Sequence, residues 1–351
     1  MSDALLNALA EALADVVTVV ETCDDDVLDP DTAVKWLETT AYVLDRLPPS
    51  DRLALGRLFR AAALRQPEPW RDDLLRLPEG FGLDEDQHEL YCAAIDDHVR
   101  RFAETVRDAD PATPVPTCPG WDIAELVKHH GTTHRWIGHV VGIRATERVW
   151  SRDVPLGLPD DPAAYPEWLA RSAADTLATL RATDPDAPMW SHGADQHVRF
   201  FPRRLLFEAV IHLADVELAL GRTPRIGPAT AADGIEEFLE NLPYFSWIAE
   251  PVAALTAPHQ DGSAPGSGVR VREGASLRLK ATDTGATWTI SLQDQGAGWT
   301  TTARGEATAT VEAASGDLLL LVYGRYAPAD TRFTHSGDRR VLDAWLSATA
   351  L

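Results

Sequence analysis

The chain has 351 residues, 45% of them hydrophobic and 25% charged, which is the composition of a soluble globular protein with two or three domains. It carries 32 Lys and Arg against 54 Asp and Glu, so its formal net charge is -22. A charge this negative argues against nucleic acid or an anionic membrane as the main partner. Its only lysines are Lys35, Lys128 and Lys280, a scarcity that indicates a GC-rich coding bias.

The cysteines and the apolar runs indicate the compartment. Cys23, Cys92 and Cys118 are far apart and form no CxxC pair, as in a reducing cytoplasm. The N-terminal segment is acidic and lacks the basic cluster of a secretory signal peptide. The longest apolar run, 318–323, is too short to cross a bilayer. We therefore expect a cytoplasmic protein that does not span a membrane.

Residues 1–87 are predicted to form a short helical module. Apolar residues recur at helical spacing over 5–20, and further helices are predicted over 31–47 and 50–64. Residues 66–83 contain three prolines and two glycines, which predicts an irregular linker. The module has 8 basic and 19 acidic residues, so its net charge is 8 minus 19, or -11. It contains no catalytic constellation, and we expect a packing module or a surface for a protein partner.

Residues 88–250 are predicted to form an irregular four-helix bundle, because long helical patterns alternate there with Pro-rich loops. The predicted helices are 88–108, 122–143, 163–183 and 202–220, with a fifth near 229–242.

Residues 251–351 are predicted to contain a linker and a small α+β domain, because the hydrophobic period changes from helical to alternating. The predicted elements are a Gly-rich linker at 259–268, strands at 277–280, 288–292 and 307–311, and helices at 316–323 and 338–346. The expected fold is therefore mainly α, with a helical module, a bundle and a smaller α+β domain in that order.

The helix predicted over 202–220 carries the first candidate site. Glu208 and His212 are four residues apart and share one helix face that is otherwise apolar. Burying this carboxylate and this imidazole without partners is costly, and a divalent metal satisfies both. Asp215, three residues after His212, is a candidate acceptor that orients the imidazole. An intrahelical Glu–His hydrogen bond without metal is the alternative interpretation.

A third ligand has to come from another helix, and the helix predicted over 122–143 contains four histidines. A helical wheel places His130 and His134 on its apolar face and His129 about 90° away. Periodicity therefore favours His130 or His134. The alternative is that most of these histidines are satisfied at a boundary between helices.

Several segments, in the same order along the chain, resemble one family. They are TCPGWDI at 117–123, LVKH at 126–129, HRW at 134–136, EAVIHLAD at 208–215, LGR at 220–222, ADGIEEF at 232–238, ATDTG at 281–285, WTI at 288–290 and SGDLLLLVYGR at 315–325. Over residues 88–351, the chain resembles the mycothiol-dependent maleylpyruvate isomerase family, which belongs to the DinB-like metal-binding bundles. Residues 1–87 depart from the usual length of that family.

The resemblance implies a divalent metal, usually zinc. It is bound by one histidine of the second bundle helix and by the Glu and His of the ExxxH motif. Carried over by position, the ligands are His129, Glu208 and His212. This choice overrides the helical wheel, because the family has an apolar residue where His130 stands, and His130 remains the alternative ligand. His134 is then expected behind the ligands or in the site wall, and it is counted among the candidate substrate- or cofactor-binding residues.

The resemblance also implies the chemistry. Three protein ligands leave one metal position open, as catalytic sites do, and in this family it takes the thiol of mycothiol as a thiolate. Addition of the thiolate to an electron-poor double bond of a diacid, rotation and elimination would convert cis to trans. With an epoxide or another electrophile the product would be an S-conjugate. Because the cofactor brings the nucleophile, no protein nucleophile is expected and Cys118 is interpreted as structural.

An anionic substrate that approaches a chain of charge -22 needs local positive charge. Arg222 and Arg325 are the predicted substrate-binding arginines, because guanidinium groups bind carboxylates in a bidentate manner. Arg199, Arg203 and Arg204 are weaker candidates. We expect the cleft between the bundle and the α+β domain.

Three function classes compete. The first is a mycothiol-dependent isomerase or S-transferase acting on a small electrophile, and the coding bias favours it because mycothiol belongs to high-GC Gram-positive (actinobacterial) species. The second is a DinB-like metal-dependent hydrolase or transferase that uses water or another thiol. The third is a non-catalytic, metal-containing binding protein. An enzyme of the first class is our expectation.

Overall fold

A computed structural model of the chain describes residues 3–47, 49–63, 65–67, 69–83, 87–256, 270–293, 296–301 and 305–350. These residues form twelve α-helices and one five-stranded sheet. The chain is therefore mainly α with a smaller α+β part, which confirms the predicted fold class. Within the ranges given above, no helix combines the length and the apolar character needed to cross a bilayer.

Internal contacts divide the chain into two compact units. One unit comprises Met1–Tyr91 and Asp184–Asp186, and the other comprises Cys92–Thr183 and Ala187–Leu351. The predicted threefold division, with boundaries at residues 87 and 250, stays a prediction.

The first unit is built from four helices. They are α1 (Asp3–Thr22), α2 (Pro30–Asp45), α3 (Pro49–Ala63) and α4 (Trp70–Gly80). Asp29 caps α2, because its side chain accepts a hydrogen bond from the backbone N–H of Thr32 at 3.0 Å. Small and large apolar side chains from all four helices, among them Ala14, Leu44 and Phe59, form a common core.

Helix α4 corrects one prediction. Residues 66–83 were expected to be an irregular linker, and this was wrong, because most of the segment is helical. Pro69 directly precedes the helix, and Pro78 falls in its last turn. Leu74 and Leu77 of α4 are buried in the core of the first unit. The prolines and glycines therefore lie at or near the ends of a short helix and not in a loop.

The second unit begins with the predicted bundle. Its helices are α5 (Gln87–Val106, which the unit boundary divides), α6 (Ile123–Gly142), α7 (Tyr165–Ala182) and α8 (Phe200–Ala219), followed by α9 (Pro228–Asn241) and α10 (Ser246–Ala254). Helix α6 packs along α7, and α8 packs against α6 and α9. Helix α10 was not predicted.

The α+β part follows. It contains the strands β1 (Ser276–Ala281), β2 (Thr287–Gln293), β3 (Gly296–Thr300), β4 (Ala309–Ala313) and β5 (Thr334–Gly337), with helices α11 (Ser315–Val322) and α12 (Arg339–Ala348). The strand order is β3-β2-β1-β4-β5, in which β1 and β4 are parallel and the other pairs are antiparallel. The linker predicted at 259–268 lies outside the described residues.

Packing of α11 against α9 positions the residues that follow α11 beside the bundle. The hydroxyl of Tyr323 lies 3.3 Å from Oε2 of Glu237 in α9, and Arg325 donates two hydrogen bonds to Asp215 in α8. The end of α11 therefore contributes directly to the region around Glu208 and His212.

Candidate functional site

Helix α8 carries two of the expected ligands on one face. Nε2 of His212 lies 3.2 Å from Oε2 of Glu208, the approach that a spacing of four residues produces in a helix. His212 is buried, and Glu208 is only 22% exposed. A carboxylate and an imidazole therefore share one enclosed position.

Helix α6 brings a third donor to the same position. Asp122 caps this helix by accepting a backbone hydrogen bond at 2.9 Å. Nε2 of His129 lies 3.8 Å from Oε2 of Glu208, and the donor atoms of His129, Glu208 and His212 all lie within 4.8 Å of one another. Ligand bonds of about 2.0–2.2 Å in a tetrahedral zinc site separate donor atoms by about 3.4 Å. The two nitrogens and one oxygen therefore fit a divalent ion such as zinc.

Asp215 and Arg325 fix the orientation of His212. Oδ2 of Asp215 lies 2.9 Å from Nδ1 of His212, and the guanidinium of Arg325 donates to both oxygens of Asp215 at 2.9 and 3.0 Å. Because Nδ1 faces Asp215, the other ring nitrogen, Nε2, faces Oε2 of Glu208. Burial lowers the pKa of His212, but hydrogen bonds to Asp215 and Glu208 outweigh burial and raise it to about 9. The two carboxylates thus create a demand for positive charge between them.

Arg204 binds the other oxygen of Glu208. It donates to Oε1 of Glu208 at 2.5 Å, to Glu237 at 3.0 Å and to the hydroxyl of Tyr323 at 3.2 Å. Burial raises the pKa of Glu208, but the charge of Arg204 and the nearby imidazoles of His129 and His212 outweigh burial and lower this pKa well below its usual value. Glu208 is therefore ionised, with Oε2 directed at the two histidines.

A second group of potential ligands shares His212. Cys118, His212 and Asp215 also bring donor atoms within 4.8 Å of one another, with Nδ1 of His212 facing Asp215. The guanidinium of Arg325 already supplies positive charge there, because it bonds Asp215 and lies 3.9 Å from Sγ of Cys118. Burial and the charge of Asp215 raise the pKa of the Cys118 thiol to about 11, so it is protonated at neutral pH. The set with His129 and Glu208 is the better metal site.

His130 and His134 lie apart from the cavity at the site. Both are completely buried, and neither ring has a hydrogen-bond partner among the described residues. Burial lowers the pKa of His134 to about 3 and that of His130 well below its usual value, so both are neutral. His134 was expected behind the ligands or in the site wall as a candidate binding residue. In the structure it lies on the apolar face of α6, behind the wall, and does not line the cavity.

The two predicted substrate arginines have different positions. Arg325 lines the cavity at the site, whereas Arg222 is exposed and does not line it. Arg222 follows Gly221, which ends α8 with a positive φ of 70° and turns the chain. Of the weaker candidates, Arg204 lines the cavity, while Arg199 pairs with Asp195 outside it.

A cavity of about 940 Å³ opens over the three donors and contains His129, Glu208 and His212 in its wall. Tyr323 and Arg325 of the α+β part also line it, at the junction where the cleft was expected. The cavity is rich in aromatic side chains, which are Trp121, Trp136, Trp150, Trp190, Phe207, Phe238, Tyr244, Phe245, Trp247 and Tyr323.

Among the described residues, three arginines and one carboxylate line the cavity. The arginines are Arg148, Arg204 and Arg325, and the carboxylate is that of Glu208. Arg204 and Arg325 are paired with Glu208 and Asp215, so the wall combines guanidinium groups with carboxylates.

Sequence reasoning missed several polar residues of the cavity, among them Arg148 and His192. Arg148 and His192 lie in irregular segments between helices, where no periodic pattern marks a side chain as facing a site. Burial and the charge of Arg204 lower the pKa of His192 to about 4, so its ring is neutral in the cavity.

Comparison with known families identifies the bundle. Residues 92–217 match the family model described as the mycothiol maleylpyruvate isomerase N-terminal domain. This segment belongs to that family. The match confirms the resemblance that the sequence indicated. The mycothiol maleylpyruvate isomerase N-terminal domain extends here from within α5 to α8, so His129, Glu208 and His212 all lie inside it, whereas Tyr323 and Arg325 do not.

Two solved structures are similar to this chain. They are crystal structures of the mycothiol-dependent maleylpyruvate isomerase and of a mutant of it. Each is 13% identical in sequence and covers 71% of this chain and 92% of its own, with TM-scores of 0.44 for the former and 0.46 for the mutant. No curated protein matches the chain.

Proposed function

We propose that this protein is a metal-dependent enzyme with a thiol cofactor. In this proposal it is a mycothiol-dependent cis–trans isomerase or S-transferase that acts on a small electrophilic, anionic substrate. The observation that carries the proposal is the convergence of His129, Glu208 and His212 in the wall of a large cavity, within a segment that matches the mycothiol maleylpyruvate isomerase N-terminal domain.

In the proposed site, His129, Glu208 and His212 hold a zinc ion. When bound, the metal lowers the pKa of a thiol ligand and keeps it as thiolate at neutral pH. Asp215 keeps the Nδ1 proton of His212 and thereby frees Nε2 for the metal. Arg204 keeps Glu208 ionised and turns Oε2 toward the histidines.

The cavity supplies the substrate-binding part of the proposal. Arg325 is held by Asp215 and by the carbonyl oxygen of Tyr323 at 2.7 Å, so it is a preorganised positive charge beside the metal position. Aromatic side chains form much of the wall around the metal position. The pKa of the Cys118 thiol is raised to about 11, so the group is protonated at neutral pH. This suits a structural role and not that of a nucleophile.

Metal analysis tests the proposed site. We expect about one zinc ion per chain in native protein and near-complete loss in Glu208→Ala and in His212→Ala, because each removes one of three ligands. Cys118→Ser is the matched control, since it changes the same cavity and should keep its metal. Full metal retention by both ligand variants would exclude the site, and metal loss in Cys118→Ser would favour the Cys118–His212–Asp215 set instead.

Turnover measurements test the reaction class. Maleylpyruvate and a panel of other small electrophiles are assayed with mycothiol, with another thiol and with none. Turnover that depends on mycothiol is expected. Equal rates without thiol would support the metal-dependent hydrolase, and unchanged ligand binding by metal-free protein without any turnover would support a non-catalytic binding protein.

A further inference from the structure

The mouth of the cavity is formed by aromatic side chains that face solvent. Trp150, Tyr244 and Trp247 all line the cavity, and they are 46%, 56% and 60% exposed. His129, Glu208 and His212 lie deeper, since they are less exposed than these three. Large aromatic side chains left open around a cavity mark a surface that a ligand covers.

The aromatic rings on one side of the cavity form a stack. The ring centroids of His192 and Phe245 are 5.8 Å apart with an interplanar angle of 28°, and those of Phe245 and Trp247 are 5.1 Å apart at 21°. The stack runs from the partly buried His192 to the exposed Trp247. A planar ring of a ligand extends such a stack at little entropic cost, because the rings are already parallel.

Arg148 supplies an available charge at the same mouth. Its guanidinium lies over the ring of Trp150, 3.8 Å from the centroid. Arg204 and Arg325, the other arginines of the cavity, are paired with Glu208 and Asp215. Among the residues that the structure describes, no carboxylate forms an ion pair with Arg148. Its charge is therefore available to an anionic group of a ligand.

Two polar side chains of the cavity wall, Gln196 and Ser191, are occupied by each other and by backbone carbonyl groups. Gln196 donates to the hydroxyl of Ser191 at 2.9 Å and to the carbonyl oxygen of Gly193 at 2.9 Å, and the Ser191 hydroxyl donates to the carbonyl oxygen of Asp195 at 2.7 Å. Aromatic faces and one guanidinium favour a planar apolar ring that carries an acid group.

We propose that the mouth of the cavity is a binding subsite for an aromatic carboxylate. Trp150 and the stack that ends at Trp247 bind the ring, and Arg148 binds the carboxylate. That this ligand is the electrophilic substrate, or part of it, rests on the proposed function. The cavity volume of about 940 Å³ agrees with a ligand larger than a short diacid, since small-molecule cavities are typically about 300–1,000 Å³.

Calorimetric titration of the full chain with three probes tests this subsite. The probes are 2-naphthoate, its uncharged amide 2-naphthamide and the non-aromatic cyclohexanecarboxylate. We expect 2-naphthoate to bind about tenfold more tightly than either of the others, because only it has both the ring and the charge. Equal affinity for all three probes, or no binding of 2-naphthoate, would overturn the proposal.

Four variants separate the two contributions. Arg148→Gln should remove the preference for naphthoate over naphthamide, and Trp247→Leu should remove the preference for naphthoate over cyclohexanecarboxylate. Arg152→Gln is the control for charge, because Arg152 lies 5.1 Å from the Trp150 ring centroid but does not line the cavity. Trp36→Leu is the control for an exposed tryptophan elsewhere, 55% exposed in α2. Unchanged preferences in Arg148→Gln and Trp247→Leu, or equal losses in the controls, would contradict the subsite.

The same experiment distinguishes this inference from the proposed function. Glu208→Ala should lose metal and keep its affinity for 2-naphthoate, because the mouth does not need the metal. Metal and thiol-dependent turnover without binding of naphthoate would refute the subsite alone. Naphthoate binding with the expected preferences in a protein that takes up no metal would refute the proposed function alone.

Discussion

His212 is held at both ring nitrogens, and this decides what the site can bind. Asp215 accepts from Nδ1, and Glu208 lies at Nε2. In the absence of another cation the imidazole itself becomes charged, which is why its pKa is raised to about 9. A divalent ion held by His212 and Glu208 would take the place of that proton and satisfy the same two carboxylates. The geometry thus suits either a proton or a metal ion, and the metal stays a proposal that the metal analysis tests.

Substituting Asp215 should weaken metal binding without abolishing it. In Asp215→Asn the neutral amide accepts the hydrogen bond from Nδ1 less strongly than the carboxylate does. Nε2 of His212 then becomes a weaker metal ligand, and the ring is less firmly oriented. We expect zinc affinity to fall by about 10–100-fold, measured by competition with a chromophoric chelator.

Asp195→Asn is the matched control for this substitution. Asp195 also lies beside a histidine, with Oδ1 2.6 Å from Nδ1 of His197, but it does not line the cavity. The zinc affinity of the Asp195→Asn variant should equal that of the unmodified chain. Equal effects of the two substitutions would show that Asp215 does not act through His212.

At the scale of elements, the distance between α6 and α7 depends on glycine. A Cβ atom added at Gly131 would lie 2.1 Å from the ring of Trp168, a fully buried side chain of α7. The hydroxyl of Ser172 in α7 accepts a hydrogen bond from Arg135 at 2.9 Å, which adds a polar contact between the same helices. Gly131 weakens the intrinsic helix propensity of α6, yet α6 is continuous through it because packing compensates.

Gly131→Ala should therefore destabilise the protein by about 1–3 kcal/mol, because the methyl group forces Trp168 or α6 to move. His129 is two residues away on α6, so zinc affinity should fall as well. The measurements are the midpoint of thermal unfolding and the zinc affinity. Gly142→Ala on the same helix is the control, because its nearest contact would be 3.6 Å, an ordinary van der Waals distance. Similar losses in both variants would contradict a specific contact with Trp168.

The elements that sequence reasoning missed share a physical cause. Strands β3 and β5 are the two edges of the sheet, and each contains glycine and small or polar residues with no buried position. An edge strand is fixed by hydrogen bonds to its neighbour, which leave no hydrophobic alternation in the sequence. Helix α4 was missed because prolines and glycines lie at and near its ends, and such a cluster is typical of a loop.

At the scale of the whole molecule, negative charge is unevenly distributed. Residues 1–87 have a net charge of 8 minus 19, or -11, and the other 264 residues have 24 minus 35, also -11. The N-terminal part is thus about three times as acidic per residue, whereas the cavity wall in the second unit carries three arginines. A role of this acidic surface in binding a protein partner stays a prediction.

Salt should stabilise the first unit more than the second. Raising the ionic strength from 0.01 to 0.15 M shortens the Debye length from about 30 to about 8 Å and screens repulsion between the acidic side chains. We expect hydrogen exchange of the α3 and α4 amides to slow by about twofold or more relative to amides of α7 and α8. A neutral osmolyte at equal osmolality serves as the control. Equal slowing in both units would mean that self-repulsion does not limit the stability of the first.

The sequence by itself determined the fold class, the long helices and the pairing of Glu208 with His212. These features repeat within a few residues, so periodicity and spacing carry them. Helical periodicity did not decide which histidine of α6 meets that pair. The family resemblance indicated His129, and the tertiary structure brings its donor atom within 4.8 Å of those of Glu208 and His212. The helical wheel selected His130 and His134 because they lie on the apolar face of α6. The same position buries both side chains in the protein interior, where they do not line the cavity. His129 lies at the margin of that face, 39% exposed, where a side chain reaches both the packed helices and the open cavity. Arg148, Arg325 and the aromatic mouth likewise come from segments distant in sequence, and only packing brings them to one cavity.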